Sequence, residues 1–197
     1  MIRIAITGPS GSGKGYICRI LKEFGIECLD CDAVVHRLYA SDDFAERLSS
    51  VVLKDVRHRG GGVDRKALAP LVFGNSELMK RVQELVYPLV RARCLAFLEE
   101  RAQSGAQVAV VDAPQLFEAH FEGDYDLIVA VSAPEEERLF RIMERDGISK
   151  EDALLRMSSQ LSDEEYAKRS DAVIRNGAKD DPEKQLKQLL ARYGVVR

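Results

Sequence analysis

The chain has 197 residues, of which 46% are hydrophobic and 31% are charged, which is enough for one well-packed core. A disulfide-stapled miniprotein and an intrinsically disordered chain are both excluded, because the apolar fraction is high and the net charge is only −3. The 29 Lys and Arg residues are balanced by 32 Asp and Glu residues, so no overall positive field is available to hold nucleic acid, and any anion site must be local.

The N-terminal segment predicts a strand, a loop and a helix. Residues 2–7 are mostly apolar and stop at a Gly/Pro/Ser cluster, which is typical of a buried strand that leads into a loop. Between residues 14 and 24 the apolar side chains recur at helical spacing, and Gly25 follows at the C-terminal cap position. Residues 26–30 then predict a second strand.

The apolar start of the chain and its cysteines indicate the cellular compartment in which we expect the protein. The run over residues 1–6 is far shorter than a signal-peptide core or a membrane span. The four cysteines are few and unevenly spaced, as in cytosolic proteins whose thiols stay reduced. We expect a soluble cytoplasmic protein that has neither a membrane nor a nucleic-acid partner.

The middle of the chain predicts helices and no strand. These helices are expected at 33–39, 44–53, 65–73 and 77–103, the last with Pro88 inside it. Strands return after this block and alternate with helices. The strands are expected at 108–111, 127–131 and 172–174, and the helices at 135–145, 150–160 and 182–193.

Five buried strands with helical crossovers predict an α/β fold, in which helices cover both faces of a parallel sheet. Residues 35–104 are much longer than an ordinary crossover and predict a helical subdomain inserted between two strands. The charged helices of residues 135–167 predict a mobile lid. Residues 1–34, 105–134 and 168–197 would form the core.

The loop after the first predicted strand reads Gly8-Pro-Ser-Gly-Ser-Gly13-Lys14 and matches the G-x-x-x-x-G-K core of a P-loop, between a strand and a helix as the motif requires. Backbone N–H groups in such a loop surround an anion, the helix N-terminus adds positive potential, and Lys14 reaches the β and γ oxygens. The alternative is a flexible Gly/Ser turn with an exposed lysine. The predicted ATP contacts here are Gly11, Ser12, Gly13, Lys14, Gly15 and Tyr16.

Gly15 and Tyr16 stand where a P-loop usually carries a hydroxyl that contacts Mg²⁺. We therefore expect Mg²⁺ to be held by phosphates and water, with Asp112 as an outer-shell ligand, since magnesium gives up its waters reluctantly.

Asp30 and Asp32 flank the end of the second predicted strand. A carboxylate there would face the same sheet edge as the P-loop and could serve as the base for a hydroxyl acceptor. The alternative is that one of the two, Asp30 in particular, caps the next helix.

Three arginines, Arg138, Arg141 and Arg145, are spaced so that they share one face of the first lid helix. Such a stripe can close over phosphates and neutralise developing charge. Alternatively, it is a solvated face paired with the neighbouring glutamates.

Several ordered motifs resemble the dephospho-CoA kinase family along almost the whole chain. Phe24-Gly25-Ile26 and Leu29-Asp-Cys-Asp32 follow the P-loop and are similar to the family's F-G-x-x-V-I-D-A-D. Gly61-Gly-Val-Asp-Arg65 with Leu68 resembles G-x-[IL]-[DN]-R-x-x-L, and Tyr87-Pro88 stands where the family has His-Pro.

The resemblance continues through the second half of the chain. Residues 110–118 resemble V-x-D-x-P-L-L-F-E, and residues 170–177 resemble A-D-x-V-I-x-N. Arg141 and Arg145 match the lid motif R-x-x-x-R, and Gln160 matches a glutamine after the second lid helix. An ordered set of this kind is far more specific than a P-loop alone.

The resemblance implies a P-loop kinase that transfers the γ-phosphoryl group of ATP to the ribose 3′-hydroxyl of dephospho-CoA, giving CoA and ADP. It implies that Asp32 accepts the hydroxyl proton or orients the hydroxyl. Lys14 and Arg141 would stabilise charge on the transferring group, and Asn176 would lie near the nucleotide base. The helical insert would bind the substrate, and we expect a monomer. The candidate substrate contacts are Asp32, Arg65, Tyr87, Pro114 and Glu118, and the lid arginines are Arg138 and Arg145.

Two other functions remain open at this point. A nucleoside monophosphate kinase would share the core and the lid but needs no aspartate at its acceptor. A non-catalytic ATP-binding member of the family would retain the P-loop but have lost turnover through Gly15 and Tyr16.

Overall fold

The structure is a computed structural model that describes residues 1–195. Its sheet has five strands in the order β2-β3-β1-β4-β5. The strands are β1 (Ile2–Thr7), β2 (Cys28–Asp30), β3 (Val108–Asp112), β4 (Leu127–Ser132) and β5 (Ala172–Arg175). The pairings β1–β3, β1–β4 and β4–β5 are parallel, so the predicted α/β fold of a P-loop protein is confirmed.

The connection from β3 to β4 contains a 3₁₀ turn (Glu122–Asp124), and α-helices occupy the other connections and follow β5. They are α1 (Lys14–Glu23), α2 (Cys31–Tyr39), α3 (Asp42–Val52), α4 (Arg65–Val72), α5 (Ser76–Gln103), α6 (Glu135–Asp146), α7 (Lys150–Ser158), α8 (Asp163–Lys168) and α9 (Pro182–Arg192). None of the helices in residues 1–195 has the length and apolar character that a membrane crossing would require.

The described chain divides into two compact units. The first unit combines Met1–Leu29 with the described residues from Phe97 onward. Its core lies where the central strands pack against α1 and α9. Ile6, Val129, Ile17 and Leu190 are almost completely buried there, since a parallel sheet covered by helices hides both faces of its strands.

The second unit comprises Asp30–Ala96 and contains α2, α3, α4 and most of α5. Its interior is built from Phe44, Leu48, Val56 and Leu68, all of which are buried. Ser41 begins α3 as an N-cap by accepting a hydrogen bond from the Phe44 N–H at 3.4 Å.

Two elements differ from the sequence-based expectations. The second strand begins two residues later than predicted, because the Ile26 N–H still closes the C-terminal turn of α1 by donating to the Leu21 carbonyl at 2.9 Å. Helix α8 was not predicted, since its six residues contain few apolar positions and give no helical period to read. Its N-cap Ser162 accepts a hydrogen bond from the Glu165 N–H, which is the local signal that marks its start.

Candidate nucleotide-binding and active site

The loop between β1 and α1 is tightly packed against the surrounding backbone. Gly13 adopts a φ of 94°, and a Cβ there would lie 2.0 Å from Asn176 Nδ2. A Cβ on Gly11, whose φ is 78°, would lie 2.6 Å from the carbonyl oxygen of Arg138. Both positions therefore require glycine, on account of the space and the left-handed backbone. The loop meets α6 on one side and the segment after β5 on the other.

Lys14 is the first residue of α1, and its ammonium lies within the loop. Its Nζ donates to the carbonyl of Gly8 at 2.7 Å and contacts that of Pro9 at 3.3 Å. The positive charge of Lys14 therefore lies next to the place where an anion would bind the loop amides. The lysine lies where the glycine spacing predicts it, and its contact with phosphate oxygens stays a prediction.

Two side chains that lie far away in sequence hold this loop. Asn176 Nδ2 donates to the Ser12 carbonyl at 2.8 Å. Arg141 donates from NH1 to the Gly11 carbonyl at 3.2 Å and from NH2 to the Asn176 carbonyl at 2.8 Å. The structure therefore brings Arg141 and Asn176, two of the predicted site residues, onto the P-loop itself.

Gln160 provides a further contact to the loop. Its Oε1 accepts a hydrogen bond from the backbone N–H of Ser10 at 2.8 Å. The sequence matched Gln160 to a family motif but gave no indication of its partner, which lies 150 residues earlier. Gln160 also lines a cavity of about 700 Å³ among α6, α7 and the start of α8, a volume within the usual range of ligand pockets.

Asp112 ends β3 directly beside the P-loop strand. It is 9% exposed and pairs in register with Ile6. The next residue of β1, Thr7, is also buried, and its Oγ1 has no hydrogen-bond partner within the described part of the chain. A carboxylate and a buried hydroxyl thus end neighbouring strands at the carboxyl edge of the sheet, where α/β proteins bind ligands.

A pair of thiols lies near Asp112. Cys28 donates to Cys18 with the two sulfur atoms 2.9 Å apart, and Cys18 Sγ is 3.8 Å from Asp112 Oδ2. The hydrogen bond with Cys28, burial, and the nearby charge of Asp112 all raise the pKa of Cys18 well above its ordinary value. Cys18 is therefore held as a neutral thiol.

The three arginines of α6 have different surroundings. Arg138 is 7% exposed and forms an ion pair with Asp163 at 2.9 Å, whereas Arg145 is exposed and pairs with Asp146 at 2.8 Å. Arg138 is thus buried rather than part of an open stripe, because it turns to α8, the helix that the sequence pattern did not predict. Arg141, by contrast, donates from its guanidinium to the P-loop.

Asp30 and Asp32 have separate roles in the second unit. Asp30 Oδ1 accepts hydrogen bonds from the N–H groups of Asp32 at 2.8 Å and Ala33 at 3.1 Å, so the capping alternative is the one observed for Asp30. Asp32 lies in the first turn of α2 and is exposed. The cap therefore leaves Asp32 as the candidate for chemistry.

The predicted substrate contacts are divided between the two units. In the second unit, the Arg65 guanidinium lies 5.1 Å from the centre of the Tyr39 ring, and Tyr87 is a half-buried residue of α5. Pro114 and Glu118 belong to the first unit and follow β3, the former half-buried and the latter exposed.

Comparison with known proteins decides the family. The family model for dephospho-CoA kinase matches residues 2–181. The chain belongs to the dephospho-CoA kinase family. It is 38% identical over 191 residues to a dephospho-CoA kinase of Thermus thermophilus, covering 96% of this chain and 91% of the relative. It is 33% identical over 189 residues to that of Dehalococcoides mccartyi, covering 96% of each.

A solved structure is similar to this chain in fold and sequence over nearly its whole length. The crystal structure of TT1252 from Thermus thermophilus has a TM-score of 0.81 and 37% sequence identity, and the match covers 97% of each chain. The sequence-based recognition of a dephospho-CoA kinase, and with it of a kinase, is confirmed. Arg141, Asn176 and Gln160 all contact the P-loop. Glu137 is one of the neighbouring glutamates that the solvated-face alternative paired with the arginines, and it lies 2.9 Å from Arg141; the sequence analysis gave it no role at the site.

Proposed function

We propose that this chain transfers the γ-phosphoryl group of ATP to the ribose 3′-hydroxyl of dephospho-CoA, with CoA and ADP as products. The observation that carries the proposal is the convergence of Lys14 and Arg141 on one P-loop. Phosphoryl transfer depends on positioning and on cations at the charged oxygens, and this loop has both features. The family of the chain then specifies the acceptor.

ATP binding uses the loop amides of Gly11, Ser12, Gly13, Lys14, Gly15 and Tyr16. When the polyphosphate enters, Lys14 exchanges the carbonyls of Gly8 and Pro9 for phosphate oxygens, since a charged acceptor binds an ammonium more strongly than a peptide carbonyl does. Asn176, which already holds the Ser12 carbonyl, lies beside the base.

In the transfer step, the ribose 3′ oxygen forms a bond to the γ phosphorus. The bond from that phosphorus to the β–γ bridging oxygen breaks, and its electron pair leaves with ADP. Lys14 and Arg141 stabilise the negative charge on the transferring group. Asp32 takes the hydroxyl proton, a role assigned from the family resemblance and from the capping role of its neighbour Asp30.

The residues at the sheet edge fit a magnesium ion bound mainly through the substrate. No group of three His, Cys, Asp or Glu side chains suited to a metal occurs among residues 1–195. Asp112 would hold a magnesium-bound water, and Thr7 offers a nearby hydroxyl. Magnesium binds in this way, through one or two carboxylates together with phosphates and water. When bound, it neutralises charge on the β and γ phosphates.

The acceptor and the lid complete the proposal. Residues 35–104 would bind dephospho-CoA, with Arg65 and Tyr87 as contacts. Pro114 and Glu118 of the core are the further proposed contacts. Residues 135–167 would close as a lid that excludes water, which would otherwise hydrolyse ATP. In this lid Arg138 holds α6 to α8 through Asp163, and Arg145 lies on the exposed face. The proposed oligomeric state is a monomer, as the sequence analysis expects. The four cysteines form no disulfide, which suits the reducing cytoplasm.

The test is ADP production with dephospho-CoA and, separately, with a panel of nucleoside monophosphates, together with mass detection of CoA. CoA formation that requires Mg²⁺ is expected. Activity with the monophosphates alone would replace the proposal by a nucleoside monophosphate kinase. Tight ATP binding in calorimetry, without product at any Mg²⁺ concentration, would instead show a non-catalytic member of the family.

A further inference from the structure

Glu137 on α6 connects the catalytic arginine to the segment after β5. Its Oε2 lies 2.9 Å from Arg141 NH2, and its Oε1 accepts a hydrogen bond from the Ala178 N–H at 3.0 Å. One carboxylate thus contacts both the guanidinium and the backbone two residues after Asn176.

The same guanidinium contacts the P-loop. Arg141 NH2 is shared between Glu137 and the Asn176 carbonyl, while NH1 donates to the Gly11 carbonyl. Asn176 in turn holds Ser12. Glu137, Arg141 and Asn176 therefore form a closed network around the loop, and in that network Glu137 reaches the loop through Arg141.

Stability does not explain this pair. The side chains of Arg141 and Glu137 are 35% and 30% exposed, and the two residues are spaced i, i+4 on one helix. Half-exposed ion pairs with this spacing contribute little to folding. An arginine with several rotatable bonds, however, must be held in one orientation if it is to stabilise a charge that develops only in the transition state.

We propose that Glu137 is a positioning residue for phosphoryl transfer. It orients the Arg141 guanidinium toward the P-loop and holds the backbone around Ala178 in place. The inference rests on the proposed function, because it names the residue that prepares Arg141 for the transferring group. Glu137 acts through Arg141 and does not touch the phosphoryl group itself.

The two oxygens of Glu137 allow its two contacts to be separated. Glu137→Gln retains an oxygen that can accept from the Ala178 N–H but removes the charge that holds Arg141. Glu137→Asp retains the charge on a shorter side chain. Glu136→Gln is the matched control, since Glu136 is an exposed neighbour on the same helix that the proposal does not use.

The experiment measures kcat, the KM for ATP and the melting temperature of the full chain with dephospho-CoA as acceptor. Glu137→Gln is expected to lower kcat by about 10-fold, as for the loss of a charged interaction realised mainly in the transition state, with a much smaller change in KM. Glu137→Asp should recover part of kcat. Glu136→Gln should match the wild type, and all melting temperatures should agree.

A double-mutant cycle tests whether Glu137 acts through the arginine. In an Arg141→Met background, Glu137→Gln should cause no further loss of kcat. Losses that multiply would overturn the proposal, as would a Glu137→Gln variant with the kcat of Glu136→Gln. If Glu137→Gln does not fold, Glu137→Asp is the deciding variant. A folded Glu137→Asp variant whose kcat is no higher than that of Arg141→Met would contradict the positioning role. A wild type that makes no CoA refutes the proposed function instead.

Discussion

The Asn176 side chain donates from Nδ2 to the backbone carbonyl of Ser12 at 2.8 Å, which joins the segment after β5 to the middle of the P-loop. The contact gives the Ser12 carbonyl a donor within the protein, so that its partial negative charge is compensated near the place where an anion would bind. It also leaves no room for a side chain on Gly13, the next residue of the loop.

Gly13→Ala should therefore abolish tight ATP binding. The new Cβ would lie 2.0 Å from Asn176 Nδ2 on a backbone with a φ of 94°, so the loop or Asn176 has to move. Isothermal titration calorimetry with ATP measures the loss. Gly123→Ala is the control, because a Cβ there meets nothing within 4 Å. Equal ATP affinity for both variants would show that the loop tolerates the displacement.

Asp32→Asn should lower kcat by about 100-fold or more, the usual contribution of a general base, with ATP affinity nearly unchanged. Asp30→Asn is the paired variant, since asparagine caps a helix as well as aspartate does and Asp30 acts as the cap of α2. It should retain activity. Steady-state kinetics and ATP titration of both variants check the assignment, and a parallel fall of kcat and ATP affinity in Asp32→Asn would contradict it.

Gln160→Ala should lower the free energy of unfolding by about 1 kcal/mol, because the Ser10 N–H loses its acceptor. Gln160→Glu retains an oxygen at that position and should lose less. Urea unfolding measures both, with Gln188→Ala, an exposed glutamine on α9, as the control. If Gln160→Ala and Gln188→Ala unfold alike, the hydrogen bond to Ser10 has no measurable effect on stability.

The pKa of Cys18 predicts a loss of stability at high pH. The thiol has a raised pKa in the folded chain, mainly through its hydrogen bond with Cys28 and burial, whereas in the unfolded chain it ionises near pH 8.5, roughly its reference value. Stability is thus fully present below that pH and falls as the pH rises above it, because only the unfolded state releases the proton.

Cys18→Ala removes this part of the pH dependence. Urea unfolding of the wild type and the variant at neutral pH and at a pH well above the reference value of the thiol should give a steeper decline for the wild type. The comparison between the two chains cancels other groups that titrate in the same range. Identical declines would mean that Cys18 ionises equally in both states.

Substitutions at Gly15 and Asp112 should change the Mg²⁺ concentration needed for half-maximal activity in opposite directions. Gly15→Ser supplies the missing hydroxyl, and a Cβ at that position meets nothing within 4 Å, so half-maximal activity should need less Mg²⁺. Asp112→Asn removes the negative charge of the proposed outer-shell ligand, so half-maximal activity should need more Mg²⁺. Activity at graded Mg²⁺ concentrations measures both shifts, and two unchanged curves would exclude these positions from metal binding.

The sequence alone was sufficient for the features that depend on neighbouring residues. The apolar runs of β1, β3 and β4 and the glycine spacing before Lys14 are local patterns, and each was found where the pattern indicated. Ordered motifs also led to the family. The capping role of Asp30 was one of two local alternatives, and the backbone N–H groups of α2 decided between them.

Contacts between distant segments required the tertiary structure. The partner of Gln160 lies 150 residues away, that of Arg141 at Gly11 lies 130 residues away, and Arg138 turns to Asp163 on a helix with no readable period. Chain folding sets which side chains meet across such separations, and helical spacing describes only one helix at a time. The three arginines of α6 therefore look equivalent in the sequence, and only packing against different neighbours gives each its own role.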